Sequence, residues 1–189
     1  MRYGLTFVIL ALLPLVHGCA LVAVGGAAAA GGYLVGEDRR PVNIMTDDQG
    51  VELRVANRIE EKYPEAHINA TAYNKLLLLS GEAPTEAAKS DMETIARGVP
   101  NVRSIVNELQ VGKSAPFSAR ANDSYITSKV KARFLDARQF NPIYVKVVTE
   151  AGTVYLMGIV TRKEADDATE IARTTSGVQK VVRVFEYQN

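Results

Sequence analysis

Ile68-Asn-Ala-Thr-Ala-Tyr-Asn74-Lys75-Leu76-Leu77-Leu78-Leu79-Ser80-Gly81 recurs further along the chain as Val145-Lys-Val-Val-Thr-Glu-Ala151-Gly152-Thr153-Val154-Tyr155-Leu156-Met157-Gly158. In both copies a pair of turn residues, Asn74-Lys75 or Ala151-Gly152, separates two segments with strand character, which predicts a β-hairpin. Gly81 and Gly158 stand at one repeat position, expected to end the second strand ahead of a helix. A turn with positive φ, or close approach of backbone elements, selects glycine there, so both are expected to matter for folding.

The repetition extends outward in both directions. Asp48, Val51, Val55 and Ile59 sit over Asp123, Ile126, Val130 and Phe134, a spacing that places the apolar residues on one helical face. Each helix is expected to open with its aspartate as N-cap. After each glycine a second helix carries Ile95-Ala96-Arg97 or Ile171-Ala172-Arg173 and stops near Gly98 or Gly177. Final strands follow at Val102–Leu109 and Val178–Phe185. The order α-β-β-α-β therefore occurs twice, and the expected fold is α+β, with a three-stranded sheet packed on two helices in each domain. The domains are expected at 46–113 and 118–189. A unit of this length is near the lower limit for burying a sufficient core, which favours packing of the pair on each other or on a membrane.

Upstream, Arg2 precedes an apolar run from Leu5 that closes with Leu15-Val16-His17-Gly18-Cys19, and Cys19 is the only cysteine. A short apolar h-region followed by a small residue and a lone cysteine reads as a lipoprotein signal, residues 1–18, with a lipid on Cys19. The alternative is a transmembrane anchor, since residues 20–36 are also apolar and the joined run exceeds the roughly 20 residues of a spanning helix. Their Gly/Ala composition offers little bulk for such a helix. Residue 20 is Ala rather than Asp, which in lipoproteins of this kind favours the outer membrane and its periplasmic face. Residues 19–45 are expected to form a tether, residues 37–47 showing no sustained period, with a reach of about 25 to 30 Å.

The net charge of +1 hides an asymmetry. Residues 46–112 carry 7 Lys+Arg against 11 Asp+Glu, and residues 118–189 carry 11 against 8, so the halves stand at −4 and +3. A basic half on a tethered protein points to anionic headgroups or an acidic partner. Catalysis finds little support: the carboxylates are scattered and no hydrolase, zincin or phosphate-loop motif is present. His67, at a strand entrance, is expected to be a surface residue rather than a metal ligand. No metal and no other cofactor is expected. Nucleic-acid binding is disfavoured by the small basic excess.

The repeated unit, with a glycine ending the second strand and the Val-x-x-Val final strand, resembles the BON domain. A lipoprotein signal followed by two such units resembles the dual-BON outer-membrane lipoproteins across essentially the whole chain. The resemblance implies a non-enzymatic envelope-integrity factor that binds anionic phospholipid, phosphatidylglycerol or cardiolipin, and concentrates at the division site. It also implies association with the outer-membrane β-barrel assembly machinery, whose adaptor or regulator is the alternative role. By position, the lipid contact falls on the first helix of the second domain, from about Asp123 to Ala137, with Tyr125, Ser128, Lys129, Lys131, Ala132 and Arg133 as contacts and Tyr125 inserting. The residues themselves fit this: Tyr125, Lys129 and Arg133 are spaced by four beside the apolar stripe, and an aromatic ring with a polar tip suits a membrane interface. The plainer alternative is a solvated basic face with Tyr125 packed at a helix end.

Overall fold

The computed structural model describes residues 38–188, so Cys19 and the signal lie outside the described residues. The first repeat contains α1 (Val42–Lys62), β1 (His67–Tyr73), β2 (Leu76–Ala83), α2 (Glu86–Arg97), β3 (Ser104–Asn107) and β4 (Gln110–Val111). The second contains α3 (Phe117–Ala137), β5 (Lys146–Glu150), β6 (Thr153–Val160), α4 (Arg162–Arg173) and β7 (Lys180–Tyr187). The α-β-β-α-β order is thus present twice. Each sheet pairs its hairpin antiparallel and takes its last strand parallel beside the hairpin's second strand. In the first repeat the last strand is interrupted: the Leu109 N–H is taken by the Asn107 side chain (3.3 Å) and pairing with β2 resumes at Gln110. No helix among the described residues is long and apolar enough to cross a membrane.

Both hairpins turn as their residues require. Asn74 and Lys75 have φ of 51° and 66°, and Ala151 and Gly152 have 48° and 72°. Positive φ at both central positions matches the twist of the flanking strands. The expected aspartate N-caps are corrected here. The helices begin earlier, at Val42 after Pro41 and at Phe117 after Pro116, which leaves Asp48 and Asp123 inside them and buried. Each carboxylate reaches across to the hairpin: Asp48 accepts from the N–H groups of Asn74 (2.7 Å) and Lys75 (2.8 Å), and Asp123 from those of Ala151 and Gly152 (both 2.9 Å). The left-handed turn aims two consecutive N–H groups at the helix, and an anion is what satisfies them.

Gly81 and Gly158 lie within β2 and β6 rather than at their ends, because the strands run two residues further. Close approach is the reason for glycine: a Cβ would stand 2.1 Å from the His67 carbonyl oxygen at Gly81 and 2.2 Å from that of Tyr144 at Gly158. Only Gly81 also has positive φ, at 110°. The helix expected to stop near Gly177 ends earlier, with Thr174 as its C-cap.

The unbroken apolar runs in β2 and β6 reflect burial on both faces. Leu77 and Leu79 face α1 and α2 in one core with Val51, Val55, Ile59 and Met92, and Val154 and Leu156 face α3 and α4 in a second with Ile126, Val130 and Phe134. The alternate residues, Leu78 with Tyr73 and Tyr155 and Met157 with Val184, meet in a third core between the sheets. Burial there pushes the Tyr155 phenol up to about 12. The helices thus lie on the outside of a two-sheet sandwich. Polar pairs rim it: Lys146 Nζ donates to Glu52 (2.6 Å), Asn74 to Glu186 (2.9 Å), and Arg103 pairs with Glu186.

The expected tether also ends sooner than its residues suggest. Residues 42–47 are helical, and Arg40 is held by Asp48 (3.0 Å) and the Tyr73 ring. Arg39 reaches the second repeat, donating to both Glu164 oxygens and to the Ile159 carbonyl (all 2.8 Å) with its guanidinium over the Tyr144 ring. Bonding to Arg39 holds the Glu164 carboxyl below the usual carboxylate range. A lowered native pKa adds stability that is present above the ordinary carboxylate pKa and disappears as pH falls through the native one. The stability gap between wild type and Glu164→Gln is therefore expected to be full at neutral pH and to close on acidification. Urea titrations at several pH values would measure it, and a gap that does not change with pH would refute the Arg39 clamp.

Candidate functional site

The helix α3 presents its outer face to solvent. Ile126, Val130 and Phe134 are buried in the second core, and the helix ends where Arg138 takes a left-handed φ of 51° and Phe140 turns back edge-on to Phe134 at 5.0 Å. Opposite the buried stripe lie Phe117, Ala121, Tyr125, Ser128, Ala132 and Leu135, all exposed, at the three- and four-residue spacing of a single face. Phe117, Tyr125 and Leu135 expose 77%, 63% and 64% of their surface, which makes this an apolar ridge on a helix whose other side is already in a core. Lys131 is exposed on one flank. Lys129 lies on the other, its ammonium 4.7 Å from the Tyr125 ring centroid and bonded to the Ser176 carbonyl.

The structure divides the residues singled out in the sequence. Tyr125, Ser128, Lys131 and Ala132 share the outer surface, although the Ser128 hydroxyl donates back to the Ser124 carbonyl (3.0 Å). Arg133 is turned the other way: its guanidinium donates to the Ile171 carbonyl (2.7 Å) and to the hydroxyls of Thr174 (3.1 Å) and Thr175 (2.7 Å). It closes the C-terminal end of α4, where free carbonyls attract a cation. The stripe Tyr125-Lys129-Arg133 therefore curls from the outer surface toward α4. Leu135, Ala121 and Phe117 take its place on the exposed ridge, and counting three and four residues in each direction from Tyr125 and Ser128 would have found them.

A second constellation involves His67, expected at the surface and in fact largely buried. Its Nδ1 is 3.2 Å from Glu82 Oε2 and 3.7 Å from Glu150 Oε1. His67 and Glu82 face each other across the first hairpin, and Glu150, 5% exposed, comes from β5 of the second repeat. Asn69 donates to Glu150 Oε2 (2.6 Å), and the Ala115 N–H donates to Glu82 Oε2 (3.0 Å). Desolvation raises the Glu150 carboxyl above the usual range.

Two α-β-β-α-β repeats joined sheet to sheet, with helices outside and one helix bearing an apolar ridge between lysines, define a tandem-repeat α+β protein. The BON domain family matches residues 47–113 and 122–189, and the chain belongs to it. It is 37% identical over 175 residues to the outer membrane lipoprotein DolP of Haemophilus influenzae, covering 90% of this chain and 89% of that one. It is 37% identical over 153 residues to the 21 kDa hemolysin of Actinobacillus pleuropneumoniae, covering 79% of each. It is 28% identical over 155 residues to osmotically-inducible protein Y of Escherichia coli, covering 79% and 77%.

Proposed function

We infer that the protein is an outer-membrane lipoprotein, acylated at Cys19 and facing the periplasm, that binds anionic phospholipid through the outer face of α3. Its role is to maintain outer-membrane integrity, at the division site, without catalysis. The observation that carries this reading is the exposed ridge of Phe117, Tyr125 and Leu135 beside Lys129 and Lys131, on a helix whose buried stripe is already occupied. Kinship with a relative named as an outer membrane lipoprotein supports the location. Burying a large apolar side chain yields roughly 1.5–3 kcal/mol, and a basic residue near an anionic surface about 1 kcal/mol. A single such helix face is a weak membrane ligand, but a lipid on Cys19 holds it at high effective concentration.

Residues 20–189 are expected to co-sediment with phosphatidylglycerol or cardiolipin vesicles, less so at high salt, and not with neutral vesicles. The double variant Tyr125→Ala/Leu135→Ala should lower the partition coefficient about tenfold or more, from the apolar area lost. Arg133→Gln should act on stability instead. Equal binding by the double variant and wild type would end the α3 assignment.

A further inference from the structure

We propose that His67, Glu82 and Glu150 form a site for one divalent transition-metal ion of the zinc class, bridging the two repeats. The ligand atoms all lie within 4.8 Å of one another, with His67 Nδ1 at 3.2 and 3.7 Å from the two carboxylates. Zinc bound tetrahedrally at about 2.0–2.2 Å places neighbouring ligand atoms roughly 3.3–3.5 Å apart. The three side chains therefore need only small rotamer adjustments to coordinate. One imidazole with two carboxylates, leaving a fourth position for water, is a donor set that suits zinc and its neighbours better than magnesium or calcium.

Charge and orientation point the same way. Two carboxylates with side chains 11% and 6% exposed face one imidazole ring, and a divalent cation between them would offset their mutual repulsion. Both carboxylates are also steered from outside. Asn69 holds Glu150 by Oε2, which leaves Oε1 toward His67, and the Ala115 N–H donates to the same Glu82 Oε2 that faces His67, fixing that oxygen in place. Such outer partners are what orient metal ligands. An open cleft of about 520 Å³, lined by Glu65, Ala66 and Pro84, reaches Glu82, one of the three ligands. Because Glu150 belongs to the second sheet and the other two ligands to the first, the ion would fasten the repeats at one end of the sandwich.

The site lies on strands rather than on α3, so it stands or falls separately from lipid binding. The untagged full-length protein in detergent, stripped with a chelator, is titrated with zinc against a chromophoric competitor. One ion per chain is expected, with affinity reduced at least tenfold in His67→Asn and in Glu150→Gln and retained in the cleft variant Glu65→Gln. Cobalt should give a visible absorption band that His67→Asn lacks. Only His17 and His67 carry imidazoles, so a zinc-induced shift of the His67 ring resonances in the wild type tests the site even if a variant folds poorly. Absence of saturable binding, binding unchanged in His67→Asn, or an unmoved His67 resonance at saturating zinc would each overturn the proposal.

Discussion

Gly158→Ala is expected to cost about 4 kcal/mol or more and to lower the melting temperature by about 10 °C or more. The added Cβ would sit 2.2 Å from the Tyr144 carbonyl oxygen, far inside van der Waals contact, and the neighbour is backbone at the entrance to β5 rather than a side chain that could swing away. Relief requires the hairpin to open at Lys146–Met157, beside the core that both sheets share. Gly81→Ala should be at least as damaging, since it adds a positive φ to a 2.1 Å approach to His67. Because Tyr73, Leu78, Tyr155 and Met157 join the repeats, either variant should weaken the whole molecule in one transition rather than melt one half alone. Thermal melts followed by circular dichroism measure this. A loss of less than about 3 °C for Gly158→Ala would show that the strand can move aside, and would remove the reason for glycine there.

The second large effect is expected at the aspartates that hold the hairpin turns. Asp123→Ala removes two charge-assisted bonds to the Ala151 and Gly152 N–H groups, and Asp48→Ala removes two to Asn74 and Lys75 together with the Arg40 contact. Bonds to a charged partner contribute about 1.5–3 kcal/mol each, and the donors would be left beside a buried gap, so a loss of about 3–5 kcal/mol is expected. Asn at either position should recover less than half, because an amide offers one acceptor oxygen and turns an NH₂ toward the second donor. Thr85→Ala, which removes an ordinary helix cap to the Ala88 N–H, sets the comparison at about 1 kcal/mol. Should urea unfolding put Asp123→Ala at or below Thr85→Ala, the turn-holding role would be lost.

The elements and their order were legible in the chain because they depend on neighbours in sequence. Spacing by four placed Val51, Val55 and Ile59, and Ile126, Val130 and Phe134, in the two helix-facing cores, and the turn pairs Asn74-Lys75 and Ala151-Gly152 marked both hairpins in their observed positions. The recurrence of glycine pointed to close backbone approach, although not to its place inside the strand. What misled was local plausibility. An aspartate ahead of an apolar stripe reads as an N-cap, yet Asp48 and Asp123 serve turns far along the chain, and the true helix starts follow prolines with little amphipathic pattern around them. Arg133 follows Lys129 at helical spacing, but the open carbonyl end of α4 draws its guanidinium away from the exposed ridge.

By itself the sequence determined two α-β-β-α-β repeats, their hairpin turns, and which side of each helix is apolar, since periodicity and turn chemistry belong to contiguous residues. The tertiary structure alone decided that the sheets meet face to face, that the Arg133 guanidinium turns to the end of α4 and away from Tyr125, and that His67 and Glu82 meet Glu150 from the other repeat. Those outcomes depend on which surfaces stack and which buried donors need an acceptor. Residues far apart in sequence settle both, by burying apolar area and satisfying polar groups across the space between them.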